Sequence, residues 1–262
     1  MEAVQMLKDS RDTKALVYAR PASAADPDAT WFNLRRFEPG PARLNRNRIV
    51  TQARRDPAAV GIDLLRTRLL NAMEERGWTH LGITSPTGGC GKTFLAANLG
   101  FSLARQAHLR TLLCDMDLRN PGLTRALEIP EAGSLASALD NAAILLRRVV
   151  RLADNFAVMP NDTVSDSPAE TLHATQTRAA LGQVMTRLRP DVVIYDLPPA
   201  LVCDDILAFK YQLDAVVLVS HGEKTTAQQV RNTEALLDGE LPILATVLNE
   251  AEDASTASYY GG

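Results

Sequence analysis

Apolar runs of strand length alternate with longer segments of helical periodicity along most of the chain. Strands are predicted at residues 79–84, 110–116, 155–159, 191–194, 214–220 and 242–249. Helices are predicted at residues 62–76, from about residue 92 onward, and at 134–151, 169–189, 204–212 and 225–237. Strands that alternate with helices predict an α/β fold, in which a mostly parallel sheet is covered by helices on both faces.

The first 58 residues do not share this pattern. Prolines interrupt them at positions 21, 27, 39, 41 and 57, so we predict an extended N-terminal regulatory arm with short ordered pieces. Its aromatic side chains, Trp31, Phe32 and Phe37, are expected to pack on the core or on a partner, with packing as the default. The predicted organisation is an arm at 1–58, a main domain at 59–249 and a flexible tyrosine-bearing tail at 250–262.

Residues 35–55 are locally basic. They contain one acid, Glu38, against arginines at positions 35, 36, 43, 46, 48, 54 and 55. Such an excess of positive charge can bind anionic lipid or an acidic partner, and it is also found in solvated linkers. The sequence gives these two interpretations equal weight.

The segment Ser-Pro-Thr-Gly-Gly-Cys-Gly-Lys-Thr at 85–93 joins a predicted strand to a predicted helix. Its glycines let backbone N–H groups turn toward a polyphosphate, and the helix N-terminus adds partial positive charge. Lys92 would lie near the β- and γ-phosphates, and the Thr93 hydroxyl would bind Mg²⁺. We therefore predict a P-loop NTPase that binds a nucleoside triphosphate with magnesium, through Gly88, Gly89, Cys90, Gly91, Lys92, Thr93 and Phe94. A glycine-rich turn with a chance Lys-Thr is the alternative.

Two further predicted strands end in aspartates. Asp115 and Asp117 follow the apolar run at 112–114, and Asp196 follows the strand that begins at 191. In an open parallel sheet, ligands bind beyond the carboxyl ends of the strands, and residues two apart point the same way. A solvated loop acid or a helix cap is the alternative for a single aspartate. The Asp-x-Asp pair favours magnesium binding or proton transfer.

Together these motifs resemble those of the bacterial tyrosine autokinases of capsule and exopolysaccharide synthesis. The segments that carry the resemblance are SPTGGCGKT at 85–93, LLCDMDLRNP at 112–121 and VVIYDLPP at 192–199. The resemblance implies an ATP-dependent protein-tyrosine kinase that phosphorylates its own tail at Tyr259 and Tyr260. It further implies catalytic roles for Lys92, Asp115, Asp117 and Asp196, magnesium binding by Thr93, Asp117 and Asp196, and an adenine contact by Asn249.

Asp115 is the candidate base in this scheme, because a tyrosine hydroxyl with a pKa of about 10 needs a nearby proton acceptor. Pro86 stands where the usual loop has its first glycine. In the related MinD/ParA-type ATPases the loop carries a signature lysine at the position of Thr87, and the absence of that lysine here favours the kinase branch. A MinD/ParA-like ATPase switch and a nucleotide-binding adaptor without kinase activity are the alternatives.

The resembled kinases also carry an E-x-x-R-x-x-R motif, which is associated with ring assembly, on a helix before the first core strand. The matching positions here are Val60, Asp63 and Arg66, so only the last residue agrees. We expect a homo-oligomer, and the altered motif does not support a ring. The resemblance also implies a membrane-embedded polysaccharide co-polymerase as the activating partner.

The bulk composition argues against several other classes of protein. A net charge of −3 does not indicate a nucleic-acid partner. The cysteines at 90, 114 and 203 lack zinc or disulfide spacing and suit a reducing cytosol. No apolar run approaches the ~18 residues of a membrane span. We expect a cytoplasmic protein that can associate peripherally with the inner face of the membrane.

Overall fold

The computed structural model describes residues 26–50 and 56–251. The predicted phosphoacceptors Tyr259 and Tyr260 lie outside these ranges, as do Arg54 and Arg55 of the basic segment. Within the described ranges, no helix combines the length and the apolar character needed to cross a lipid bilayer.

The described strands form a single sheet whose neighbours are parallel with one exception. In chain order the strands are β1 (Arg35–Arg36), β2 (His80–Thr84), β3 (Thr111–Asp115), β4 (Val150–Ala153), β5 (Phe156–Met159), β6 (Val192–Asp196), β7 (Ala215–His221) and β8 (Ile243–Asn249). Across the sheet their order is β1-β4-β5-β3-β6-β2-β7-β8, and only β4 and β5 pair antiparallel. The predicted mostly parallel sheet is therefore confirmed.

Helices pack on both faces of this sheet, because successive strand residues point to opposite sides. On β3, Leu113 joins an apolar cluster with the helices at 57–76 and 92–104, whereas its neighbours Leu112 and Cys114 join a second cluster with the helices at 27–32, 142–148 and 175–188. Short 3₁₀ turns occur at Ala136–Ala138 and Lys210–Gln212. The α-helices are α1 (Pro27–Phe32), α2 (Pro41–Arg46), α3 (Pro57–Arg76), α4 (Lys92–Ala104), α5 (Leu123–Leu127), α6 (Ala142–Arg148), α7 (Pro168–His173), α8 (Thr175–Leu188), α9 (Asp205–Phe209) and α10 (Ala227–Leu237).

Two of the predicted helices are wrong in extent. The segment 134–151 contains a 3₁₀ turn and α6, and its end already belongs to β4, which begins at Val150. A short apolar run has no period that separates a buried strand from a buried helix, so the sequence did not reveal β4. The predicted helix at 169–189 is split at Ala174, where the backbone is extended with a ψ of 138°.

The described part of the arm packs on the domain through Trp31. This side chain is fully buried, and its indole Nε1 donates a hydrogen bond of 2.7 Å to the Asp154 carbonyl oxygen. Next to it, β1 extends the sheet by pairing Arg35 with Val150. The expected packing of Trp31 is confirmed, whereas Phe32 remains 55% exposed over the guanidinium of Arg151.

Most described arginines of the basic segment contact groups of the same chain. Arg43 and Arg46 pair with the Glu128 carboxylate at 3.2 and 2.8 Å, and Arg35 donates to the Pro130 carbonyl oxygen at 3.2 Å. Exposed pairs of this kind contribute about 1 kcal/mol or less to stability. These contacts are more typical of a packed segment than of a solvated linker. Binding of the segment to anionic lipid or an acidic partner stays a prediction.

The residues at the altered ring-motif positions are engaged between α3 and α4. Asp63 accepts a hydrogen bond of 2.6 Å from the Ser102 hydroxyl and pairs with Arg105, and Arg66 donates to the Ser102 carbonyl oxygen at 3.2 Å. Val60 is 42% exposed on the same helix. The two charged side chains therefore tie α3 to the helix that follows the glycine-rich loop.

We expect Trp31→Ala to lower the free energy of unfolding by about 3–5 kcal/mol, because a large buried ring and its hydrogen bond are both lost. Urea denaturation of the purified protein measures this change. Phe32→Ala is the matched control, with an expected loss of about 1 kcal/mol, since its exposed ring gives up only a contact with a cation. Equal losses in the two variants would show that the arm is not anchored through Trp31.

Candidate functional site

The glycine-rich loop at 85–91 connects the carboxyl end of β2 to the first turn of α4. Gly89 and Gly91 have φ angles of +76° and +91°, a backbone region that favours glycine. The loop is braced by the segment after β6, because Thr84 donates to the Pro198 carbonyl oxygen at 2.8 Å and the Ala200 N–H donates to Ser85 at 2.8 Å. The loop therefore has a fixed shape at the carboxyl edge of the sheet.

Cys90 within this loop and Lys92 directly after it are both buried, in different settings. Lys92 is 8% exposed at the start of α4, near the carboxylates of Asp117 and Asp196. Cys90 is 1% exposed, and its Sγ donates to the Thr87 carbonyl oxygen at 3.2 Å. The thiol is thus occupied within the protein, and Cys90 can serve a ligand only through its backbone.

The Thr93 side chain joins all three segments that the sequence motifs predicted. Its hydroxyl donates a hydrogen bond of 2.6 Å to Asp196 Oδ2, at the end of β6. Gly122, in the turn after β3, lies so close that an added Cβ would be 2.8 Å from Thr93 Oγ1. A side chain at position 122 would therefore disturb the predicted magnesium ligand.

Asp115 lies directly opposite Asp196 in the parallel register of β3 and β6. Its Oδ2 accepts hydrogen bonds from the Gly122 and Leu123 N–H groups, at 3.1 and 2.9 Å, and so holds the start of α5. Asp115 Oδ1 and Asp196 Oδ1 are both buried without a hydrogen-bond partner. A buried polar atom without a partner is costly, so these two oxygens suit a cation or a hydrogen-bond donor.

Burial changes the proton affinity of these carboxylates. It raises the pKa of Asp196 to about 7, although the Thr93 hydroxyl and the Lys92 charge act in the opposite direction. Burial raises the pKa of Asp115 well above its ordinary value, and the neighbouring charge of Asp196 adds to the effect. The pKa of Asp117 is also raised by burial, against the Asn120 N–H and Lys92. Without a cation the site therefore favours protonated carboxyl groups.

These residues fit a magnesium ion that shares its coordination with phosphate and water. Oxygen donors suit Mg²⁺, and the site offers the Thr93 hydroxyl and the unpartnered oxygens of Asp115 and Asp196. Within the described ranges, no group of three or more His, Cys, Asp and Glu side chains is arranged to hold a metal by itself. A small number of protein ligands is typical of nucleotide sites, because Mg²⁺ there keeps several waters and also binds the phosphates.

Asp117 and Arg119, which also belong to the second motif, have different partners. Asp117 Oδ1 accepts from the Asn120 N–H at 2.9 Å and shapes the turn after β3. Arg119 forms a two-point ion pair with the fully buried Asp205, with distances of 2.9 and 2.8 Å. The sequence reasoning missed Asp205, because an acid in the first turn of a helix is common and does not reveal its partner.

Two further predicted nucleotide contacts, Phe94 and Asn249, lie next to the glycine-rich loop. Phe94 is half-buried in the first turn of α4. Asn249, the last residue of β8, donates a hydrogen bond of 3.0 Å from Nδ2 to the Cys90 carbonyl oxygen. The structure thus brings the predicted loop, the three aspartates and Asn249 to one edge of the sheet, while Tyr259 and Tyr260 lie outside the described residues.

A strand, a glycine-rich loop and a helix, followed by aspartates at the ends of adjacent parallel strands, define a P-loop nucleotide-binding protein. The family model of the CobQ/CobB/MinD/ParA nucleotide binding domain matches residues 81–261, and the chain belongs to this family. The predicted P-loop NTPase fold is thereby confirmed.

Proteins similar to this chain include named tyrosine kinases. Tyrosine-protein kinase YwqD of Bacillus subtilis is 27% identical over 224 residues, which cover 84% of this chain and 93% of the relative. The solved kinase domain of Escherichia coli tyrosine kinase ETK is 26% identical with a TM-score of 0.69, covering 82% of this chain and 84% of that one. The crystal structure of the chimerical protein CapA2B2, at 23% identity and a TM-score of 0.70, shares the fold over 84% of this chain and 94% of its own.

We expect the stability of the nucleotide-free protein to fall as the pH rises from 5 to 8. The pKa of Asp196 is about 7 in the folded state and 3.8 ordinarily, so the folded state keeps a proton that the unfolded state has released. Raising the pH therefore favours unfolding. Urea denaturation without magnesium measures this trend, which Asp196→Asn should reduce but not abolish, because burial also raises the pKa of Asp115 and Asp117. The exposed Asp166→Asn should leave it unchanged, and an undiminished trend in Asp196→Asn would contradict the assignment.

Proposed function

We propose that this protein is an ATP-dependent protein-tyrosine kinase that phosphorylates its own tail and regulates capsular or exopolysaccharide polymerisation and export. The proposal rests on one observation: Lys92 and Thr93 lie beside two buried carboxylates, Asp115 and Asp196. Each carboxylate has one oxygen without a hydrogen-bond partner. Its similarity to named tyrosine-protein kinases supports tyrosine as the acceptor. The acceptors proposed are Tyr259 and Tyr260.

In this proposal the chain positions ATP and neutralises its charge. Phosphoryl transfer depends mainly on in-line placement and electrostatic stabilisation. The loop backbone from Gly88 to Gly91 and the Lys92 ammonium hold the phosphates. Thr93 and Asp196 would hold Mg²⁺, which would supply positive charge to offset that of the phosphates, and Asp117 would support the ligand shell of the metal.

Asp115 is the proposed acceptor of the tyrosine proton. Its raised pKa makes it a stronger base than an exposed aspartate, which suits transfer from a phenol. One oxygen, Oδ2, is occupied by the backbone of α5, so Oδ1 is the atom available for the proton. The same atom could serve a metal instead, and the two roles give different kinetic consequences.

The wider setting of the reaction follows from the family resemblance. We propose a membrane-embedded polysaccharide co-polymerase as the activator, and a cytoplasmic kinase that associates with it at the inner face of the membrane. Assembly into a homo-oligomer would let one copy phosphorylate the tail of another. The contacts of Asp63 and Arg66 with Ser102 and Arg105 within the chain do not favour a ring built on those residues.

A second candidate is a nucleotide-switched ATPase that transfers phosphate to water. The chain belongs to the CobQ/CobB/MinD/ParA nucleotide binding domain family, so its fold also suits this candidate. Thr87, in place of the signature lysine of that branch, argues against it. An adaptor that binds nucleotide without chemistry would use Asp196 only as a metal ligand and would leave Asp115 without a proton to accept.

We expect Lys92→Ala to lower phosphotyrosine formation about 100-fold or more, because the phosphate charge loses its main partner. Mass spectrometry of the full chain, after incubation with ATP and Mg²⁺, measures phosphate at Tyr259 and Tyr260. Lys210→Ala, which removes a lysine in the 3₁₀ turn that precedes β7, is the matched control and should keep the activity. If the protein without substitutions releases phosphate but forms no phosphotyrosine, it is the ATPase switch. If it forms neither free phosphate nor phosphotyrosine, it is the adaptor.

We expect Asp115→Asn to slow phosphoryl transfer at least tenfold more than it weakens ATP binding. The carboxamide can still accept the Gly122 and Leu123 N–H groups, so the fold around α5 is kept. Single-turnover transfer and ATP titration of the same preparation separate the two effects. Equal losses in transfer and binding would assign Asp115 to the metal or to the structure instead of the base.

A further inference from the structure

The carboxamide of Asn249 contacts the phosphate loop from the side of β8. Asn249 Nδ2 lies 3.0 Å from the Cys90 carbonyl oxygen. A carbonyl oxygen only accepts hydrogen bonds, so the atom that faces it is the donating nitrogen. The carboxamide oxygen of Asn249 is not used in this contact and stays available for other groups, including the predicted adenine edge.

The bonded carbonyl belongs to the peptide unit between Cys90 and Gly91. The described chain has no cis peptide bonds, so the C=O of Cys90 and the N–H of Gly91 point in opposite directions. A hydrogen bond that holds this C=O toward β8 therefore turns the Gly91 N–H away from β8. In loops of this kind, backbone N–H groups are the donors that surround the phosphates.

Gly91 fits this arrangement in two ways. Its φ of +91° is strained for any residue with a side chain. A Cβ at this position would also lie 2.2 Å from Asn249 Nδ2, so the carboxamide occupies the space beside the glycine. The loop and the end of β8 are thus shaped to each other, and rotation of the peptide is hindered by contact as well as by the hydrogen bond.

The end of β8 is itself held in place. The Gly222 N–H donates to the Asn249 carbonyl oxygen at 2.8 Å, and β8 pairs with β7 up to His221. The next residue, Glu250, has its carboxylate 3.2 Å from Nε2 of the buried His221. An anchored strand end can orient its side chain without a large loss of conformational entropy.

We propose that Asn249 is a positioning residue of the phosphate loop, which keeps the Gly91 N–H directed at the polyphosphate of any bound nucleoside triphosphate. It acts through the Cys90–Gly91 peptide and therefore independently of the base. The proposal does not rest on tyrosine kinase activity, because it concerns nucleotide binding alone. An adenine contact, by comparison, would depend on the base and would leave the loop unaffected.

Asn249→Leu tests the proposal, because leucine has a similar branched shape and no donor. The matched control is Leu248→Ala, which changes an exposed neighbour on the same strand, 61% exposed. ATP and inosine triphosphate are titrated against each protein in the presence of Mg²⁺. The two ligands carry the same phosphates and differ at the edge of the base. Amide NMR of the nucleotide-free proteins reports the Gly91 and Lys92 N–H groups, and thermal melting checks the fold.

We expect Asn249→Leu to weaken the binding of both nucleotides by the same factor, roughly tenfold, which corresponds to the loss of one well-placed hydrogen bond. The Gly91 amide signal should shift in this variant and stay unchanged in Leu248→Ala. Weaker binding of ATP alone would assign Asn249 to the base and overturn the proposal, as would unchanged affinities or an unchanged Gly91 signal. If Asn249→Leu does not fold, Asn249→Ala, which also lacks a side-chain donor, provides the same comparison.

Discussion

The parallel pairing of β3 with β6 is the constraint on which the site depends, because it places Asp115 directly opposite Asp196. Both carboxylates are fully buried at the carboxyl edge of an apolar sheet. Two acids in this position are unfavourable without compensation. Compensation comes from the Thr93 hydroxyl, the N–H groups at the start of α5 and the nearby Lys92 charge. A bound cation would complete it.

The loops around this pair form one connected set of contacts. Gly122 packs on Thr93, Arg119 ties the turn after β3 to Asp205, and Asn249 bonds to the phosphate loop. The loop and the first turn of α4 therefore receive contacts from the segments that follow β3 and β6 and from the end of β8. Such a site is largely preorganised, which matters because phosphoryl transfer gains most from placement and electrostatics.

The chemistry of the loop could be predicted from the sequence, because it depends on residue types at fixed short spacings. Three glycines, Lys92 and Thr93 between a strand and a helix define the phosphate site wherever the rest of the chain lies. The aspartates were found for the same reason, since each ends an apolar run. The prediction of a helix at 134–151 was wrong because a short apolar run has no period that separates a strand from a helix. The antiparallel strand β4 at the end of this segment was therefore not predicted.

The amino-acid sequence by itself determined the α/β class, the ligand class and the residues that carry charge, since these follow from local periodicity and local motifs. Only the tertiary structure decided which partners these residues have. Three such contacts join residues that are far apart in the sequence. Arg119 pairs with Asp205, 86 positions away, and Trp31 donates to Asp154, 123 positions away. Asn249 donates to the Cys90 carbonyl oxygen, 159 positions away. Such contacts are set by strand order and register, which no local pattern encodes.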